Sequence, residues 1–182
     1  VLVNCVGLSL LQHLNIAGDL EVVSASGINS TGGMRLKVMG NVVTQDLNGW
    51  TASAFISLNG AADQTVSGPG LIPWLEVNKS GGNVLMPDNL DLQHNGKLSG
   101  SGFFDNIGGV FNTKGNASFD FSGTIEDLRC TTNGGSRTIT LNQDLQVVNS
   151  LTLAGAGAGF RMTASPAGKK LKVGGNVSTQ VF

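Results

Sequence analysis

The sequence predicts an all-β fold, arranged as a solenoid of stacked turns, and three observations support this prediction. Apolar and polar residues alternate along many short segments, which is the period of a β-strand. Glycine, at 27 of 182 residues, and asparagine separate these segments at short intervals, as tight turns require. Related segments recur with turns of unequal length, which is typical of repeat proteins. A β-sandwich is the alternative, because many short strands with glycine turns also suit that fold.

The composition of the chain argues against nucleic-acid binding and against a membrane-spanning helix. Charged residues make up only 13% of the sequence and the net charge is −1, so there is no basic stripe for a nucleic-acid backbone. No segment approaches the ~20 apolar residues of a membrane-spanning helix. The first residues fit a strand pattern better than a signal peptide, so we expect a mature chain or a fragment. Nucleic acid and a membrane span are therefore not predicted.

The first half of the chain opens the series of related segments. Residues 1–18 resemble residues 138–155, and residues 14–45 share L-x-[IL]-A-G and L-K-V-x-G-N-V-x-T-Q with residues 151–180. In the segment after Gly32 and Gly33, apolar residues alternate with Arg35 and Lys37. This alternation predicts a strand that faces the core on one side only.

The second half of the chain continues the series. Residues 46–50 are predicted as a turn and residues 51–60 as a strand. Residues 83–102 match residues 138–157 at a constant offset, and residues 103–123 are predicted as a shortened link between them. We therefore predict one β-solenoid domain over residues 1–182, a fragment of a longer array, with related units starting near residues 1, 83 and 138.

One stretch of the repeat resembles a known kind of sequence. The run ISLNGAADQTVSGPGLIPWLEVNKSGGNVLMPDNLDLQHNGKLSGSG is similar to the degenerate repeat of large secreted surface proteins of Bacteroidetes and related bacteria. The residues that carry the resemblance are Ile56, Leu58, Asn59, Gly60, Gln64, Val66, Gly68, Leu75, Val77, Asn78, Ser80, Gly81, Gly82, Val84, Leu90, Leu92 and Leu98. The chain departs from the pattern in lacking a C-terminal sorting domain and in its short middle unit.

The resemblance implies a fold, a location and a function. The fold implied is a right-handed parallel β-helix, and the location is the cell surface or the extracellular space. The function implied is that of a non-enzymatic stalk or adhesive segment, or of a filament. The partners would be neighbouring repeats or subunits of the same protein, and surface glycans would be a second class of partner.

Catalytic and metal sites are not predicted. The acidic residues are scattered, and the nearest approach to a pair, Asp88 and Asp91, lies in a predicted turn. These two residues with Asp105 form a possible calcium site, but no calcium-binding motif accompanies them. No nucleophile elbow, phosphate-binding loop or C-x-x-C motif occurs. We therefore expect no enzyme activity, no metal and no cofactor.

The remaining candidates are few. Trp50 and Trp74 could stack on sugar rings, which supports an alternative function as a carbohydrate-binding or polysaccharide-active module. His13 and His94 follow the same Leu-Gln pair and are expected to hold equivalent turn positions. Cys130 aligns with a valine and is expected to be a small buried residue, although a disulfide with Cys5 stays open.

Overall fold

The protein is all-β throughout the part of the chain that its computed structural model describes, which is residues 1–5, 8–25, 28–30, 32–45, 55–105, 107–132, 134–155 and 159–181. The strands are β1 (Leu2–Cys5), β2 (Leu8–Leu10), β3 (Leu14–Ile16), β4 (Leu20–Ala25), β5 (Ile28–Ser30), β6 (Arg35–Val38), β7 (Val42–Thr44), β8 (Phe55–Leu58), β9 (Gln64–Ser67), β10 (Leu71–Val77), β11 (Val84–Leu85), β12 (Leu90–Gly100), β13 (Phe103–Asp105), β14 (Phe111–Lys114), β15 (Ala117–Phe121), β16 (Thr124–Thr132), β17 (Arg137–Leu141), β18 (Leu145–Gly155), β19 (Phe160–Ala164), β20 (Leu171–Val173) and β21 (Val177–Gln180).

The strands wind into a solenoid with three sides, which the chain visits in a fixed order. Side 1 stacks β1, β4, β7, β9, β11, β13, the starts of β16 and β18, and β20. Side 2 stacks β2 on β5, and the starts of β10 and β12 on β14, the ends of β16 and β18, and β21. Side 3 stacks β3, β6, β8, the ends of β10 and β12, β15, β17 and β19.

Every described strand pair is parallel, and this confirms the predicted β-helix. Most strands pair with their equivalents one turn earlier and one turn later; for example, Leu14 pairs with Leu36, which pairs with Ile56. A sandwich is built from antiparallel strands, so the alternative of a β-sandwich is wrong. The parallel arrangement leaves each strand with one inward and one outward row of side chains.

The predicted alternation sets which residues enter the core. In β6, Leu36 and Val38 are fully buried, whereas Arg35 and Lys37 point outward as predicted. One turn has a core of phenylalanine from all three sides: Phe104 lies on side 1, Phe111 on side 2, and Phe119 and Phe121 on side 3. Their ring centroids lie 5.5–6.1 Å apart, so the rings fill the width of the solenoid at this level.

The predicted glycine turns lie at the corners between sides. Gly81 and Gly82 end the side-3 part of β10 and lead into β11 on side 1. Gly82 has φ +69°, and a Cβ atom there would lie 2.6 Å from the backbone nitrogen of Asp63 in the previous turn. Only glycine tolerates both this conformation and so close an approach of two turns.

The prediction for residues 103–123 is wrong. They do not form a shortened link but a complete turn, because β13, β14 and β15 occupy sides 1, 2 and 3 in succession. The segment looks short in the sequence because the comparison of residues 83–102 with residues 138–157 matches strands that lie on different sides of the solenoid. Leu90, for example, matches Leu145 in the sequence, but Leu90 lies on side 2 and Leu145 on side 1.

Candidate functional site

Trp74, one of the two tryptophans that are candidates for sugar stacking, lies within the described residues on side 3. Trp74 is half-buried in β10, and its ring centroid lies 4.6 Å from that of Phe55 in the previous turn, with an angle of 50° between the rings. The two rings therefore form a tilted aromatic pair of a common kind. The other candidate, Trp50, lies outside the described residues, and so do the whole turn predicted at residues 46–50 and the first four residues of the strand predicted at 51–60.

An ion pair lies beside this aromatic pair. Arg35 Nε donates to Glu76 Oε2 at 2.7 Å and Arg35 Nη2 donates to Glu76 Oε1 at 2.9 Å, so the contact is bidentate. The guanidinium carbon lies 4.9 Å from the centroid of the Phe55 ring, which is the geometry of a cation–π contact. Ser57 Oγ, from the turn between them, donates to Glu76 Oε2 at 2.7 Å. The ion pair therefore spans three successive turns.

The electrostatics of this ion pair keep both groups charged. The hydrogen bond from Arg35 is the main reason that the pKa of Glu76 lies below its usual value, and it outweighs the opposing effect of burial. The same hydrogen bond raises the pKa of Arg35. A carboxylate held in this way is a poor general acid, because catalysis of that kind needs a pKa near the working pH. The ion pair links the side-3 strands of these turns.

A shallow cavity of about 320 Å³ adjoins the ion pair. Its lining consists of His13, Arg35, Lys37, Glu76, Val77, Asn78 and Gly100. Trp74 does not line it, so the aromatic ring and the cavity do not form one groove. The described residues place one carboxylate here, and that carboxylate is bound to Arg35.

Two of the three acidic residues that are candidates for a catalytic or calcium site lie in structural contacts. Asp88 accepts a hydrogen bond from the backbone nitrogen of Gly68 at 3.2 Å. Asp91 accepts from Lys114 at 3.0 Å and from Asn112 at 2.9 Å. Among the described residues, no group of three histidine, cysteine or acidic side chains is arranged to hold a metal ion.

Histidine, aspartate and asparagine side chains at the corners link successive turns. His13 Nδ1 accepts from the backbone nitrogen of Arg35, and His94 Nδ1 accepts from that of Asn116; each partner lies 22 residues further on. The two histidines thus hold equivalent corner positions before side 3, which confirms the prediction. Other corner side chains accept from the next turn in the same way: Asp19, Asn41, Asp63, Asn89, Asn116, Asp127 and Asp144.

Cys130 is a buried free thiol, as its alignment with a valine predicted. Burial raises the pKa of this thiol to about 11, so the reactive thiolate is scarce at neutral pH. The side chain of Cys5 lies outside the described part of the chain.

No pattern in the sequence predicts a second cavity, which we call the corner cavity. It measures about 130 Å³ and is lined by His94, Lys114, Gly115, Thr131 and Arg137. These residues come from three successive turns, and no local motif joins them. Arg137 lies one turn away from Gly115, and this neighbourhood can be recognised only when the pairing of the strands is known.

Comparison with known proteins adds no relative. No protein-family model, no curated protein and no solved structure matches the chain. The described residues include no helix that is long and apolar enough to cross a membrane.

Proposed function

We propose that the chain is a non-enzymatic structural or adhesive segment of an extracellular bacterial surface protein or filament, in which further turns of the same fold stack on its ends. The observation that carries this proposal is the last side-2 strand. Val177 stands at the same inward position as Leu151 one turn earlier, yet Val177 is 61% exposed and Leu151 only 4%. An apolar residue at a core position gains its burial when another turn covers it.

The strand edges at both ends support the same proposal. In the part of the chain that the structure describes, β19, β20 and β21 pair only with the preceding turn, and β1, β2 and β3 pair only with the following one. Unpaired parallel edges are templates for further strands. Exposed apolar side chains accompany both edges: Leu2, Leu11 and Leu14 at one end, and Met162, Val177 and Val181 at the other.

The outward surface of side 2 also suits a structural or adhesive role. Outward side chains of neighbouring turns contact one another here: Thr131 Oγ1 donates to Asn112 Oδ1 at 2.7 Å, and Thr152 Oγ1 lies 3.2 Å from Ser178 Oγ. Such contacts hold outward side chains in register from turn to turn. The extracellular location rests on the resemblance of the repeats to bacterial surface proteins.

Self-association tests the stacking. We expect the chain to form larger species as its concentration rises, and Val177→Lys to shift the midpoint concentration at least about tenfold upward, because a charge on an edge strand opposes strand addition. Sedimentation velocity over a range of concentrations measures this. The matched control is Val148→Lys, since Val148 is 37% exposed on β18, which the last turn covers. A chain that stays monomeric at millimolar concentration, or equal effects of the two variants, would contradict the proposal.

The alternative proposal is a carbohydrate-binding or polysaccharide-active module, and the half-buried Trp74 ring beside Glu76 is the observation that supports it. If it holds, titration with soluble polysaccharides should quench tryptophan fluorescence saturably, and Trp74→Phe should abolish that quenching. Aromatic stacking supplies much of the affinity of such sites. Absence of saturable quenching over a panel of neutral and acidic polysaccharides would remove this alternative.

A further inference from the structure

The corner cavity lies where one position in a column of side chains is glycine. The parallel pairing places His94, Gly115 and Arg137 at equivalent positions in three successive turns. Gly115 has φ +115°, and a Cβ atom there would lie 2.5 Å from His94 Nδ1, so the imidazole packs directly against the glycine. The imidazole and Arg137 both line the space of about 130 Å³ beside this contact.

The lining of the corner cavity is basic. Lys114, at the end of β14, pairs with Thr131 near the end of β16, and both residues line the cavity on the side-2 face. Lys114 Nζ also lies 3.0 Å from Asp91 Oδ2, but Asp91 does not line the cavity. Two permanent cations, Lys114 and Arg137, therefore face a space whose described lining contains no carboxylate.

Two side chains of the corner-cavity lining carry nitrogen donors. Arg137 Nε is buried and has no hydrogen-bond partner among the described residues. A buried donor without a partner is costly, and a small rotation of the guanidinium would let an acceptor in the cavity bind it. His94 Nδ1 accepts from Asn116 at 3.2 Å, so the neutral imidazole carries its proton on Nε2, which can donate.

We propose that the corner cavity binds one tetrahedral oxyanion, a sulfate or phosphate group. A space of this size admits several water molecules, so it has room for four oxygens around one centre. Arginine and lysine form short, charge-assisted hydrogen bonds to such groups. The group could come from a free ion or from a sulfate ester on an acidic polysaccharide. This inference goes beyond the stacking of turns and does not depend on it.

Nuclear magnetic resonance titration of the whole chain tests the proposal. The probes are sodium sulfate, sodium phosphate, a sulfated disaccharide and its unsulfated parent, all at one ionic strength kept with sodium chloride. We expect saturable shifts at the Gly115 and Asn116 amides and at Arg137 Nε–H, and none with the unsulfated sugar. Tighter binding of the sulfated disaccharide than of free sulfate identifies the ester as the source, and equal or weaker binding identifies the free ion.

Matched variants locate the site. Arg137→Gln should raise the dissociation constant for sulfate about tenfold, because a charged hydrogen bond is lost, whereas Arg161→Gln, which removes an exposed arginine from the adjoining strand β19, should leave it unchanged. Lys114→Gln against Lys97→Gln repeats the comparison if Arg137→Gln does not fold. Shifts that fail to saturate with every anionic probe, or equal effects of variant and control, would overturn the proposal.

Discussion

Phe111→Ala is expected to lower the free energy of unfolding by about 3–5 kcal/mol, the range for deleting a buried aromatic side chain. Phe111 is fully buried, pairs with Leu90 in the previous turn and Leu128 in the next, and its ring centroid lies 5.5 Å from that of Phe104. Its removal leaves a cavity at the centre of the solenoid. The neighbouring rings are held by their own turns, so the cavity can collapse only in part.

Urea unfolding followed by circular dichroism measures this loss. The matched control is Phe103→Ala, because Phe103 belongs to the same turn but points outward and is only half-buried. We expect the control to cost about 1 kcal/mol, the usual value for a point substitution. Similar losses for the two variants would show that the phenylalanine layer does not form the centre of this turn.

Gln64→Leu is expected to destabilise the protein by about 3 kcal/mol, because several buried polar groups lose a partner at once. Gln64 is 1% exposed and lies at the start of β9. Its Oε1 accepts from the backbone nitrogen of Gly60 at 2.8 Å, and its Nε2 donates to the carbonyl of Val38 at 3.1 Å. Leucine has a similar volume but can satisfy neither group.

A lysine from the next turn adds to this effect. Lys79 Nζ donates to Gln64 Oε1 at 2.9 Å and to the carbonyls of Gly60 and Ala62. Burial lowers the pKa of Lys79, so the loss of an acceptor falls on an ammonium group that is already partly desolvated. One glutamine therefore joins three successive turns at the corner between side 3 and side 1.

The matched control for this glutamine is Gln45→Leu. Gln45 is exposed, and its Nε2 donates to Glu21 at 3.0 Å across the surface, so we expect a change within about 0.5 kcal/mol. Urea unfolding measures both variants, and hydrogen exchange at the Gly60 amide reports the local effect. An unchanged exchange rate at Gly60 in Gln64→Leu would contradict the role given to this residue.

Local patterns in the sequence were enough to predict the strands and corners of this protein. Alternation of apolar and polar residues predicted which side chains of β6 face the core, and the glycine pairs predicted the corners. The shared Leu-Gln-His order placed His13 and His94 at equivalent corners, and the structure gives both the same hydrogen bond. Each of these features depends on residues close together in the chain.

The stacking of particular strands on one another could not be predicted from these local patterns. Strands on all three sides share one sequence pattern, with apolar residues inward, polar residues outward and glycine or asparagine at the corner. Sequence matching therefore aligned Leu90 with Leu145 although they lie on different sides. Hydrogen bonds between turns set the true pairing. That pairing brings Arg35 to Glu76, and it places Gly115 between His94 and Arg137, so the ion pair and the corner cavity could not be predicted from the sequence.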